Sequence, residues 1–149
     1  MQILVDADAC PVKDIILKVA KEYKVALVMI KDICHELHDD YAKIITVDKG
    51  RDMADLVLIN NTKKGDIVVT QDYGVAALAL ARKAAVINQN GWLYTNENID
   101  DLLSRRHINQ QMRRKHKKYT KIAKRTKEDN MKFERKFREL VMSRIEKIR

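Results

Sequence analysis

The sequence predicts an α/β fold: a three-layer, open parallel sheet of four to five strands with a basic helical C-terminal extension. Two observations predict the sheet and its helices. Short apolar runs of strand length alternate with longer stretches whose apolar residues recur at helical spacing, and such alternation is the signature of strand–helix–strand units and a parallel sheet. A third observation predicts the extension. Residues 105–149 hold 18 Lys and Arg against 5 Asp and Glu, whereas residues 1–104 hold 12 against 16. The expected organisation is therefore an α/β domain over 1–104 and a basic helical extension over 105–149, packed on or flanking it.

The elements follow in order. Gln2–Val5 is a short apolar run ending in Asp6-Ala7-Asp8, a buried strand. Pro11 suits a helix start, where its missing N–H costs nothing. Val12, Ile15, Ile16, Val19, Ala20 and Tyr23 then form one apolar stripe. Val25–Ile30 is the second strand and Ile44–Val47 the third, followed by a turn at Lys49-Gly50. Asp52 through Asn60 reads as a mostly buried helix with Ala54, Leu56, Val57 and Ile59 inside. Ile67–Thr70 is the fourth strand, Val75–Lys83 an alanine-rich helix, Ala85–Ile87 a fifth strand and Gly91–Thr95 a short extended piece. Asn96 or Asn98 is placed to cap a helix running towards His107. Phe133, Phe137, Leu140, Val141 and Ile148 give the last helix an apolar face, to dock on the body or on a second subunit, so a homo-oligomer stays open.

Composition narrows the functional classes. With 46% hydrophobic and 34% charged residues the chain is globular rather than disordered. Its longest apolar runs, such as Ala76–Ala81, fall far short of a membrane span. Asp6 and Asp8 interrupt the first apolar stretch as no secretory signal would. Two cysteines, Cys10 and Cys34, fit reduced thiols, so a cytoplasmic location without membrane association is expected. The net charge of +9, concentrated behind an acidic body, suits a protein that holds a polyanion near its body. A solvated helix face explains the same charges equally well.

The chemistry rests on where the aspartates fall. Asp6 and Asp8 follow the first strand, Asp72 follows the fourth, and Asp52 and Asp55 flank the first turn of the helix after the third. In open parallel sheets the carboxyl ends of the strands line the ligand crevice, so these carboxylates are expected at one rim. Crowded carboxylates repel, and a hard cation such as Mg²⁺ or Mn²⁺ relieves the repulsion. With such an ion the reaction class is phosphodiester hydrolysis. Each aspartate also has a plain explanation as a helix cap or turn residue.

Four motifs, in order, carry a family resemblance. They are Val5-Asp6-Ala7-Asp8-Ala9-Cys10-Pro11-Val12-Lys13, Gly50-Arg51-Asp52-Met53-Ala54-Asp55, Gly65-Asp66 through Asp72-Tyr73-Gly74, and Tyr94-Thr95-Asn96-Glu97-Asn98-Ile99. Over about residues 1–107 the chain resembles the uncharacterised bacterial YaiI/YqxD-like family, itself similar to the PIN (PilT N-terminus-like) nuclease domains. That resemblance implies a PIN-like fold and catalytic, metal-holding roles for Asp6, Asp55 and Asp72, with Asp8 and Asp52 as further metal ligands. The basic tail lacks a Gly-Pro-containing stretch found in many members.

The expectation that follows is a Mg²⁺- or Mn²⁺-dependent nuclease acting on RNA or DNA, RNA favoured. Nucleic acid would be gripped by Arg105, Arg106, Arg113, Arg114, Lys115, Lys117, Lys118, Lys121, Lys124 and Arg125, which neutralise phosphates without reading sequence; Tyr119 offers a stacking face. A non-catalytic nucleic-acid-binding module of PIN-like fold is the alternative. A haloacid-dehalogenase-like phosphatase is a further one, from the Asp6-Ala7-Asp8 motif with Asp66 and Asp72. Strand geometry speaks against it, because Asp66 and Asp72 fall at opposite ends of one strand. Cys34, His35 and His38 suggest zinc, yet a structural site needs four ligands. Cys10 at a helix start fits a buried, inert thiol better than a reactive one, having no paired base.

Overall fold

The computed structural model describes residues 1–8, 10–33, 36–48, 52–105 and 124–148. Its elements are β1 (Gln2–Asp6), α1 (Lys13–Tyr23), β2 (Ala26–Asp32), β3 (Lys43–Val47), α2 (Met53–Asn61), β4 (Ile67–Val69), α3 (Tyr73–Ala81), β5 (Ala85–Ile87), β6 (Leu93–Tyr94), a helix α4 at 99–105, and α5 (Lys127–Ile148). The strands form one sheet in the order β3-β2-β1-β4-β5-β6. All neighbours up to β5 are parallel, as expected. The sheet has six strands rather than four to five. The extra one is the short piece before Thr95, which turns back and pairs antiparallel with β5 through Val86↔Tyr94 and Ile87↔Leu93.

Alternation along β1 divides the core. Ile3 and Val5 join one buried cluster with Ile16, Val19 and Ala20 of α1 and Phe133, Phe137 and Val141 of α5. Leu4, on the other face, joins Leu58 and Ile59 of α2, Val75, Ala76 and Ala79 of α3, and Ile99 of α4. The sheet thus lies between two helical layers, because strands covered on both faces must be apolar on both. The last helix docks on its own chain: Phe133, Phe137 and Val141 are wholly buried, and the two phenyl rings stack 5.2 Å apart. Arg138 of α5 pairs with Glu22 of α1 and with Glu134, and Lys18 lies 3.7 Å from Glu134, so charges rim that apolar seam.

Several local expectations need correction. Leu56 is 55% exposed while Leu58 is buried, because the inward face of α2 runs through Ala54, Asp55, Leu58 and Ile59, and Leu56 lies nearly opposite. Ile148 is 66% exposed and the partly buried Ile145 packs in its stead, since the terminal turn overhangs the cluster. Asn98 stands at the N-cap position of α4, one of the two asparagines expected there, and its carbonyl accepts from Leu102 N–H (3.0 Å). Its side chain does not cap the helix but accepts from Thr95 N–H (2.9 Å), while Thr95 Oγ1 accepts from Asn98 N–H (3.2 Å), closing the turn that leads in. His38 is exposed in irregular backbone, not on a helix; Cys34, His35, Lys49, Gly50, His107 and Tyr119 lie outside the described residues. No helix among the described residues is long and apolar enough to cross a membrane.

Candidate functional site

Sheet order decides where a site can form. The chain leaves β1 through α1 to β2 on one side, and β4 lies on β1's other side with its own helix leading to β5. The carboxyl ends of β1 and β4 therefore flank a topological switch point, where the following loops part and leave a crevice. Asp6 is the last residue of β1. By alternation it shares the face of Leu4, the face covered by α2 and α3.

The other carboxylates reach that crevice from three directions. Asp8 lies in the β1–α1 loop, where its Oδ2 accepts from the backbone N–H of Asp32 at the end of β2 (3.0 Å). Asp55 sits in the first turn of α2, one turn above the buried Ile59 on the inward face. Asp72 follows β4 as the N-cap of α3: its Oδ1 accepts from Gly74 N–H (2.8 Å) and Val75 N–H (3.2 Å). Its own N–H donates to Thr70 Oγ1 at 3.0 Å. Asp52 caps α2 without a side-chain cap bond and is exposed.

Electrostatics shows that these groups sense one another. The Asp6 carboxyl is pushed up to about 7, first by burial and then by the negative charges of Asp55, Asp8 and Asp72. A hydrogen bond from the Asp8 N–H offsets part of the rise. Two openings meet at Asp6. One is a slot of about 10 Å³ lined by Asp6, Asp8, Cys10, Val69, Thr70, Gln71 and Gln89. The other is a mouth of about 390 Å³ lined by Asp6, Gln71, Asp72 and Tyr73. Among the described residues no three His, Cys, Asp or Glu side chains stand close enough to hold one ion as placed. Asp6 shares the slot with Asp8 and the mouth with Asp72, and Asp55 acts on it through its charge.

Cys10 is half-buried at the slot, and burial raises its thiol, which disfavours the reactive thiolate. Asp66 lies at the opposite end of β4, where it accepts from Gln2 N–H, Gln2 Nε2 and Lys63 N–H; it serves that loop and not the rim. Gln71 and Gln89 are the slot residues that sequence reasoning left unassigned. Both follow the carboxyl end of a parallel strand, β4 and β5, and that position was the available signal.

Of the tail residues, Arg105 ion-pairs with Asp101 (3.0 Å) and Lys124 is exposed. Arg125 binds protein: Asn130 Oδ1 (2.6 Å), Asn90 Oδ1 (3.0 Å) and the Gln89 carbonyl (2.7 Å). Arg106, Arg113, Arg114, Lys115, Lys117, Lys118 and Lys121 lie outside the described residues.

Comparison with known proteins now supplies the lineage. Residues 4–143 match the family model described as "Uncharacterized BCR, YaiI/YqxD family". The chain belongs to the YaiI/YqxD family. A "UPF0178 protein" of Alkaliphilus oremlandii is 73% identical over 135 residues, covering 91% of this chain and 87% of that protein. Another, of Natranaerobius thermophilus, is 54% identical over 142 residues, covering 95% and 97%. A third, of Ruminiclostridium cellulolyticum, is 57% identical over 135 residues, covering 91% and 88%. No solved structure matches. The YaiI/YqxD match includes the α/β body from β1 onward and Asp6, Asp8, Asp52, Asp55 and Asp72.

Proposed function

We propose that this YaiI/YqxD chain is a divalent-cation-dependent phosphodiester hydrolase of PIN-like type, acting on RNA in preference to DNA. The observation that carries the reading is the half-buried Asp6 at the switch point of the sheet, raised to about 7 by burial first and then by the charges of Asp55, Asp8 and Asp72. Carboxylates that repel at such a rim cost stability, and sites that bind a hard cation accept that cost. The donor set is all oxygen, which suits Mg²⁺ or Mn²⁺ rather than a soft metal. Asp6, Asp55 and Asp72 would hold the ion after side-chain rotation, with Asp8 or Asp52 assisting. Such an ion, when bound, polarises a phosphoryl oxygen and makes water more acidic.

The chain's own residues supply the rest. Thr70 and the first turn of α3 fix Asp72 in orientation, and the tie to Asp32 fixes the loop bearing Asp8. The mouth beside Tyr73 and Gln71 admits a phosphate, and the cations of 105–124 would gather the polyanion. The test is cleavage of a fluorescent oligoribonucleotide with Mn²⁺ by wild type and Asp6→Asn. Wild type should cut, and the variant should lose at least about 10²-fold; equal cutting by both ends the reading.

One observation favours the non-catalytic binding module. Asp8 and Asp72 each perform a structural task that would keep them at the rim without chemistry. That reading requires salt-sensitive RNA binding with no hydrolysis and no effect of metal. Turnover of p-nitrophenyl phosphate would point to a phosphatase instead.

A further inference from the structure

The slot at the switch point has about the volume of one water, and Gln71 and Gln89 line it beside Asp6, Asp8, Cys10, Val69 and Thr70. Gln89 reaches it from the turn at 88–91, which is held far more firmly than a surface turn requires. Asn88 N–H donates to the Trp92 carbonyl and Gly91 N–H to the Asn88 carbonyl, each at 2.9 Å. The Asn88 side chain accepts from Asn90 N–H and donates to the hydroxyl of the buried Tyr94, again at 2.9 Å each. Gly91, at φ +93°, lies so close to α5 that an added Cβ would sit 3.0 Å from the Lys132 carbonyl oxygen. Arg125 completes the clamp. One guanidinium bridges Asn130 on α5, the Asn90 side chain and the carbonyl of Gln89 itself. These bonds hold the backbone on either side of Gln89, while its carboxamide makes no hydrogen bond with any described residue.

We propose that the slot seats the hydrolytic water, that Gln89 orients it, and that Arg125 is the positioning residue that holds Gln89 in place. The proposal rests on the hydrolase reading above. In the reaction the water oxygen bonds to phosphorus as the bond from phosphorus to the leaving ribose oxygen breaks. The leaving oxygen keeps the electron pair and takes a proton from solvent. One water proton passes to solvent; the other stays on the new P–OH, having been held by the Gln89 carboxamide oxygen. A neutral amide suits the role, because it accepts this bond without adding a further charge to the acidic rim.

The experiment is steady-state cleavage of an oligouridylate with Mn²⁺ by wild type, Asp6→Asn, Gln89→Ala, Arg125→Ala and Arg125→Lys, with thermal melting of each. Gln89→Ala should lower kcat about 10²-fold with KM within about twofold, since misplacing a reactant by an ångström has an effect of that size. Arg125→Ala should show the same split, more weakly, and Arg125→Lys should restore part of kcat. If Arg125→Ala does not fold, Asn90→Ala removes one bond of the clamp and should show a smaller kcat loss at native melting temperature. Wild-type kcat in Gln89→Ala overturns the proposal, and so does a loss confined to KM. Cleavage that is absent, or equal in wild type and Asp6→Asn, overturns the hydrolase reading and this proposal with it. Cleavage lost in Asp6→Asn yet kept in Gln89→Ala overturns the proposal alone.

Discussion

Asp6 carries a titration that should be visible in the stability of the whole chain. In the folded state its carboxyl holds a proton up to about 7, against an ordinary value of 3.8. Between those values the folded state binds more protons than the unfolded one, so stability falls as pH rises from about 4 to 7 and stays lower above. With allowance for partial exposure, the loss is on the order of 2 kcal/mol. Urea unfolding without added metal, at pH 5 and pH 8, should show it for wild type, and Asp6→Asn should flatten the difference. A wild-type chain as stable at pH 8 as at pH 5 contradicts the crowding inferred around Asp6. Asp72 separates two roles in one side chain. Asp72→Ala loses the cap on α3 and should cost about 1 kcal/mol, whereas Asp72→Asn should keep most of it. Both should lose cleavage, and a chemical melt run beside the oligonucleotide assay tells the roles apart.

At the scale of elements, apolar runs and helical spacing were enough to read β1 through β5, α1 and α3 from the sequence. Strands β1, β2, β4 and β5 bury apolar runs, α1 and α3 an apolar face, and β3, where only Val47 is buried, still shows a β-branched run. Reading failed where burial is one-sided or depends on distant partners. The short strand β6 has only two paired residues, and nothing local distinguishes it from a loop. Leu56 looked internal because α2 is apolar almost all round, so periodicity could not choose a face. The aspartates were legible as strand-end residues, and the rule for parallel sheets gave their rim. Gln89 was not, since its position depends on Arg125, 36 residues later in the chain. The seam of α5 offers a direct check. Phe133→Ala removes a wholly buried ring stacked on Phe137 and should cost about 3–5 kcal/mol, measured by denaturant unfolding. A cost near zero would mean that α5 is not part of the core.

Taken whole, the molecule joins an acidic rim to a basic segment through a single stretch of chain. Arg125 stands at the start of the last described stretch, where its guanidinium bonds the Asn90 side chain and the Gln89 carbonyl beside the slot. The last helix has a separate consequence for how the chain is made. Phe133, Phe137 and Val141 complete the layer that also contains α1, yet they are synthesised after every strand of the sheet. Until they emerge, α1 is the one helix among the described residues that shields that face of β1 and β4 from water and from other chains. Folding on that side therefore waits for contacts between distant parts of the sequence, which are slow to form. A nascent chain halted before Lys127 would expose sticky apolar strands, making that interval the one in which a chaperone has most to protect.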